Sequence, residues 1–97
     1  MAFRLIYHDL VQSEDLPHIG HAERKRIAHA IEYRLTSYPE QFGKPLRFTL
    51  TGLWSLRVGS YRVIYEIEGE EVIVLAVSHR RDAYEHAIAR VRRNRGS

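Results

Sequence analysis

Apolar and polar positions change rhythm along the chain, and each rhythm predicts an element. Phe3-Arg4-Leu5-Ile6-Tyr7 reads as a short strand. A polar turn follows, then a brief helical piece around Ser13-Glu14-Asp15-Leu16 that Pro17 stops. From His21 to Ser37 the spacing becomes helical, with Ile27, Ala30, Ile31, Arg34 and Leu35 on one stripe and Glu23, Arg24, Arg26 and Glu32 elsewhere on the wheel. Tyr38-Pro39 ends this helix, and a loop through Gly43-Lys44-Pro45 leads into strand-rich sequence. Three strands are then predicted at Leu53–Val58, Tyr61–Glu68 and Glu71–Ser78, separated by Gly59-Ser60 and Gly69-Glu70. Both separators are Gly-X pairs, the signature of two-residue type II′ turns, so the three strands form an antiparallel meander. A last helix is expected from Asp82 to about Arg92, followed by a basic tail over 92–97.

Two-residue turns fix the register. The position numbers of facing residues then sum to 119 across the first hairpin and 139 across the second. Arg57 falls opposite Arg62, and Arg62 opposite Val77. Because side chains alternate between faces, Ser55, Arg57, Arg62, Ile64, Glu66, Ile73, Leu75, Val77 and His79 are expected on one face. Trp54, Leu56, Val58, Tyr61, Val63, Tyr65, Ile67, Val72, Val74 and Ala76 fall on the other. That second face is nearly all apolar, so the helices are expected to cover it. The fold class is therefore α+β: one small domain over 1–97, an antiparallel meander with helices packed on one face.

Composition narrows the function. With 97 residues there is chain for one core only, and no apolar run is long enough to span a membrane. Zero cysteines exclude thiolate chemistry, and the amino terminus shows no secretory pattern; the expected location is the cytoplasm. A formal charge of +3 looks modest, yet arginine outnumbers lysine heavily among the 15 basic residues, the lysines being Lys25 and Lys44 alone. Arginine offers a planar fork that grips phosphate and stacks on bases. The basic excess lies wholly in the second half. Two facing arginines repel, so Arg57 and Arg62 call for an anionic ligand. The end of the third predicted strand brings His79, Arg80 and Arg81 to the same rim, while Glu68, Glu70 and Glu71 lie at the far end. The histidines show no paired metal spacing, and no phosphate loop or nucleophile elbow occurs, so neither metal nor cofactor is expected.

The run from Gly52 to Glu66 (GLWSLRVGSYRVIYE), followed by Ser78-His79-Arg80-Arg81-Asp82-Ala83-Tyr84, resembles the RelE/ParE toxin superfamily, as does the loop Pro39 to Leu46. The resemblance spans nearly the whole chain. It implies a cytoplasmic toxin of a type II toxin–antitoxin pair, bound by a cognate antitoxin in a hetero-oligomer. For RelE-like members it implies metal-independent cleavage of mRNA on the ribosome, the 2′-hydroxyl attacking the adjacent phosphate. On that resemblance Arg62 and Arg81 would stabilise the phosphate, Tyr84 would stack on or orient the nucleotide, and His79 would serve as acid or base. Arg57, Arg80, Lys44 and Arg47 would grip flanking phosphates. Where RelE enzymes carry lysines before the Gly turn, this chain has Leu53 and Ser55. The alternative is a ParE-like, non-catalytic inhibitor of DNA gyrase. The antitoxin is expected on the apolar strip Ile64, Ile73, Leu75 and Val77.

Overall fold

The computed structural model describes residues 2–95, and side chains as far as Val91. Strand β1 (Arg4–Tyr7) leads through a wide turn of π type (Val11–Asp15) and a tight one (Leu16–His18) into helix α1 (His21–Ala30). A second π-type turn (Ile31–Leu35) extends α1, so the predicted stripe survives with Ile27, Ala30, Ile31 and Leu35 all buried. A one-turn helix α2 (Pro39–Phe42) and a two-residue strand β2 (Lys44–Pro45) precede the meander β3 (Leu53–Val58), β4 (Tyr61–Glu68) and β5 (Glu71–His79). Helix α3 runs Arg80–Arg95, starting two residues earlier than expected and taking in most of the residues assigned to the basic tail; 96 and 97 lie outside the described residues.

The sheet has the order β1-β5-β4-β3-β2. β1 pairs parallel with β5 and the other pairs are antiparallel, so the meander becomes the centre of a mixed sheet. Both hairpins turn in two residues, with φ of 62° at Gly59 and 60° at Gly69 and no positive φ at the residue after either, as a type II′ turn requires. Among the described residues no helix is long and apolar enough to cross a membrane.

The first hairpin has the expected register, with Arg57 facing Arg62. The second does so only from Tyr65↔Val74 to Glu68↔Glu71. At Leu75 the strand carries one extra residue, a β-bulge, and beyond it the pairs are Ile64↔Ala76, Val63↔Val77, Arg62↔Ser78 and Tyr61↔His79. A one-residue slip exchanges faces. Val77 and His79 therefore belong to the Tyr61 face, and Ala76 and Ser78 to the Arg62 face, which reverses the sequence expectation for Val77, His79 and Ala76.

The helices also differ from expectation, since they cover both faces. On the Tyr61 face, Val58, Val63, Tyr65, Val72, Val74 and Val77 pack with Ile27, Ile31 and Leu35 of the α1 layer. On the other, Ile64, Leu75 and Ala76 pack beneath Ala83 and Ala87 of α3, with Tyr84 and Val91 at the margin. Ile64, Leu75 and Val77 are thus buried inside the protein, and the strip assigned to an antitoxin is not a surface.

The bulge lies where β5 loses its neighbour. β1 ends at Tyr7, with His8 N–H donating to the Val74 carbonyl at 2.9 Å, and past that point the outer edge of β5 has no strand beside it. Asp15 and Arg90 close that edge. Val77 N–H donates to Asp15 Oδ2 (2.8 Å), Arg90 Nη1 donates to the Leu75 carbonyl (2.8 Å) and to Asp15 Oδ2 (2.7 Å), and Arg90 Nη2 donates to Asp15 Oδ1 (2.8 Å). Both side chains are buried, so each charge is compensated by its partner and each backbone group by a charged side chain. A second tie holds α2 to the sheet: the Tyr65 hydroxyl donates to the Pro39 carbonyl, and burial pushes its pKa upward, which keeps it a donor. Gly43 is required beside it, since a Cβ there would lie 1.8 Å from that hydroxyl oxygen.

Asp15→Ala should lower stability by about 3–5 kcal/mol, the cost of leaving a buried charge unpaired. The double variant Asp15→Leu/Arg90→Met should remain at least about 2 kcal/mol less stable than the parent, because it orphans Leu75 C=O and Val77 N–H as well. Urea denaturation measures both, and full recovery in the double variant would contradict the edge-closing role.

Candidate functional site

β3, β4 and the first turns of α3 build the arginine face. Arg57, Arg62 and Ser78 lie in one row across the sheet. The outward neighbour on β3 is Ser55, which faces Lys44 of β2 and Ile64 of β4. α3 advances about 100° per residue, so Ala83 and Ala87 share one line and Arg80 and Tyr84 share the adjoining flank. Tyr84 packs against the apolar cluster that Leu53, Ile64, Leu75 and Ala76 form with Ala83 and Ala87, which places that flank on the same side of the sheet as Arg62. Arg62 and Tyr84 are half-buried, Arg80 and Arg81 exposed. Lys44 and Arg47 are exposed on the strand and loop that border the same side.

Two of the expected relations change. Arg57 has a backbone acceptor within the chain itself. β2 covers β3 only at Trp54 and Ser55, so Arg57 stands at a bare edge, where its Nε donates to the Gly59 carbonyl at 3.3 Å and its side chain borders a cleft against α1. His79, by contrast, leaves the arginine face altogether. The bulge turns it toward Tyr61, on which it stacks with ring centroids 4.4 Å apart. It borders a cleft of about 390 Å³ at the open edge of β5 with Glu14, Asp15, His18, Asp82 and His86. Glu14, Asp15 and Asp82 give that cleft a carboxylate lining, in contrast to the guanidinium groups of the arginine face. His79 and the Arg62 row are on opposite sides of the sheet.

Asp15 and Arg90 were not singled out by sequence reasoning, although one signal was available. Arg90 falls seven residues after Ala83, on the buried line of α3, and a charged side chain at that phase demands a buried partner. Ser55 is the opposite case. Its Oγ is buried and makes no hydrogen bond among the described residues.

With this geometry established, comparison with known proteins places the chain. A family model described as the ParE toxin of the type II toxin–antitoxin system parDE matches residues 5–84. The chain belongs to the RelE/ParE toxin family. The match extends from β1 to Tyr84, including Arg57, Arg62, His79 and Arg81. Toxin RelG of Mycobacterium tuberculosis is 46% identical over 63 residues, 60% of this chain and 72% of that protein. Toxin RelE of the same organism is 31% identical over 83 residues, 80% of this chain and 86% of that one. The toxin–antitoxin complex RelBE2 of M. tuberculosis contains a chain similar to this toxin, with a TM-score of 0.76 and 29% identity, covering 82% of this chain and 93% of that chain. A variant of the Escherichia coli toxin RelE in its free state shares the fold, with a TM-score of 0.74 at 19% identity over 94% of this chain and 99% of that chain. The toxin is thus a RelE-like α+β domain whose relatives are named on the RelE side of the family.

A buried hydroxyl without a partner costs stability, so Ser55→Ala should leave this toxin equally stable or up to about 1–2 kcal/mol more stable in urea denaturation. A clear loss of stability would mean that the hydroxyl is bonded in solution.

Proposed function

We propose that this toxin is a ribosome-dependent endoribonuclease that cleaves mRNA and is neutralised by a cognate antitoxin bound to it. The carrying observation is the row of Arg57 and Arg62 on the sheet with Arg80, Arg81 and Tyr84 on the overlying helix, in a chain whose relatives are named RelE and RelG. The toxin–antitoxin complex among its structural neighbours supports the antitoxin as partner.

In the proposed reaction the 2′-oxygen bonds to the adjacent phosphorus while the bond from phosphorus to the 5′-oxygen breaks. The 2′-hydroxyl proton passes to a base, and a proton is delivered to the departing 5′-oxygen. The products are a 2′,3′-cyclic phosphate and a 5′-hydroxyl. Negative charge grows on the non-bridging oxygens as the fifth bond forms, and the guanidinium groups of Arg62 and Arg81 would stabilise it. Tyr84, held by the apolar cluster under α3, would stack on the nucleotide beside the scissile bond. Lys44, Arg47 and Arg80 would hold flanking phosphates as point or forked charges. His79 is on the wrong side of the sheet to exchange protons with a phosphate held at Arg62. The acid–base role that the resemblance implies for it is therefore not part of this proposal.

Mapping mRNA ends on translating ribosomes after induction tests this reading. Arg62→Ala and Arg81→Ala should each slow cleavage by about 10²–10³, the range for losing one group that stabilises transition-state charge. His79→Ala should slow it less than about tenfold. Growth arrest with intact mRNA would overturn the nuclease reading, and an accompanying DNA-damage response would point to gyrase.

A further inference from the structure

A second basic cleft lies on the other side of β3. α1 and its π-type extension carry Arg26, His29, Tyr33 and Arg34, and these meet Arg57 at the bare edge of the sheet to enclose about 480 Å³. Three arginines line the cleft, two from the α1 layer and one from β3. Arg26 has a loose carboxylate partner, Glu23, whose Oε1 lies 3.8 Å from Arg26 Nη1. Such convergence of like charge raises the local potential for an anion. Beside it is a flat aromatic platform. The rings of His29 and Tyr33 are stacked with centroids 6.3 Å apart and planes 22° from parallel, and Tyr33 is 70% exposed. An exposed tyrosine held on a stacked neighbour presents an oriented ring face to solvent. Arg34 is half-buried and oriented by the Phe42 ring, 5.8 Å from its guanidinium carbon.

From these groups we infer that this cleft binds the phosphodiester backbone of single-stranded RNA, with one base stacked on Tyr33. Guanidinium groups suit phosphate and carboxylate alike, but the platform favours the nucleic acid: every nucleobase offers a π-face to Tyr33, whereas the carboxylates of an acidic peptide gain nothing from it. Arg57 links this cleft to the arginine face, since by register it stands opposite Arg62 and by side chain it borders Arg26 and Arg34. An RNA strand leaving the arginine face would cross the uncovered edge of β3 at Arg57 and continue into the cleft. The inference rests on the proposed action on RNA and extends it, by assigning a second contact on the α1 side.

The test uses the full-length toxin and a fluorescein-labelled 2′-O-methyl RNA dodecamer, which binds but has no free 2′-hydroxyl to attack. Arg26→Gln should weaken binding and make the slope of log K against log salt shallower by about 0.7, the loss of one phosphate contact on a single strand. Tyr33→Ala should weaken binding roughly 5- to 150-fold with little change of slope, and Tyr33→Phe should bind as the parent does. Both positions are exposed, so thermal unfolding should match the parent within a few degrees. Parent-like binding by both Arg26→Gln and Tyr33→Ala would overturn the inference, as would displacement of the RNA by polyglutamate with Tyr33→Ala inert, which would mark the cleft as a site for acidic polypeptide. The effect of Arg62→Ala on mRNA cleavage is read separately. Failure of the cleft leaves that effect in place, whereas failure of the nuclease reading removes it.

Discussion

Asp15 and Arg90 hold this molecule together at the one place where the sheet cannot close itself. β1 runs beside β5 only as far as Val74, and the next stretch of β5 would otherwise present Leu75 C=O and Val77 N–H to a dry interior. One carboxylate from the turn before α1 and one guanidinium from α3 take up both groups and each other. Because these side chains come from opposite layers, the same four hydrogen bonds fasten the helices of both faces around the edge of β5. Replacing the pair by apolar residues, which in many proteins is tolerated, leaves the backbone groups unmet here.

That edge also sorts the chemistry. The bulge at Leu75 sends Ser78 to the arginine face and His79 to the Tyr61 face, so the terminal residues of β5 feed two different surfaces. α3 begins directly after, and its pitch repeats the division: Arg80 and Tyr84 flank the sheet side, while Asp82 and His86 line the cleft at the open edge. Arg57, Arg62 and Tyr84 share the face that α3 covers. Imidazoles and carboxylates are gathered beyond β5.

How much of this was legible depends on what each residue had as neighbours in sequence. The hairpins could be read from Gly59 and Gly69, since only a positive φ at the first turn position fits a two-residue loop, and the facing of Arg57 and Arg62 followed. The bulge could not be read. Val72 to Val77 is apolar at every position, and a strand buried on both faces carries no alternation from which a one-residue slip could be detected. The misplacement of His79 descends from that single silent residue, whereas the supposed antitoxin strip is covered because α3 packs on its face. The α1 cleft was missed for another reason: counted along the chain, the first half is neutral, and only the fold brings Arg26 and Arg34 to Arg57. The family resemblance, carried by the run from Gly52 to Glu66 and by Ser78 to Tyr84, holds in the fold and in the relatives.

If a toxin with this arginine row acts by in-line attack of the 2′-hydroxyl, the chemistry is written on the ends it leaves. The most direct measurement is the terminal structure of mRNA fragments released when the purified toxin meets programmed ribosomes. The account predicts upstream fragments ending in a 2′,3′-cyclic phosphate and downstream fragments that polynucleotide kinase labels without prior phosphatase, as a 5′-hydroxyl allows. Fragments bearing 5′-phosphates, or no fragments while translation stops, would contradict it.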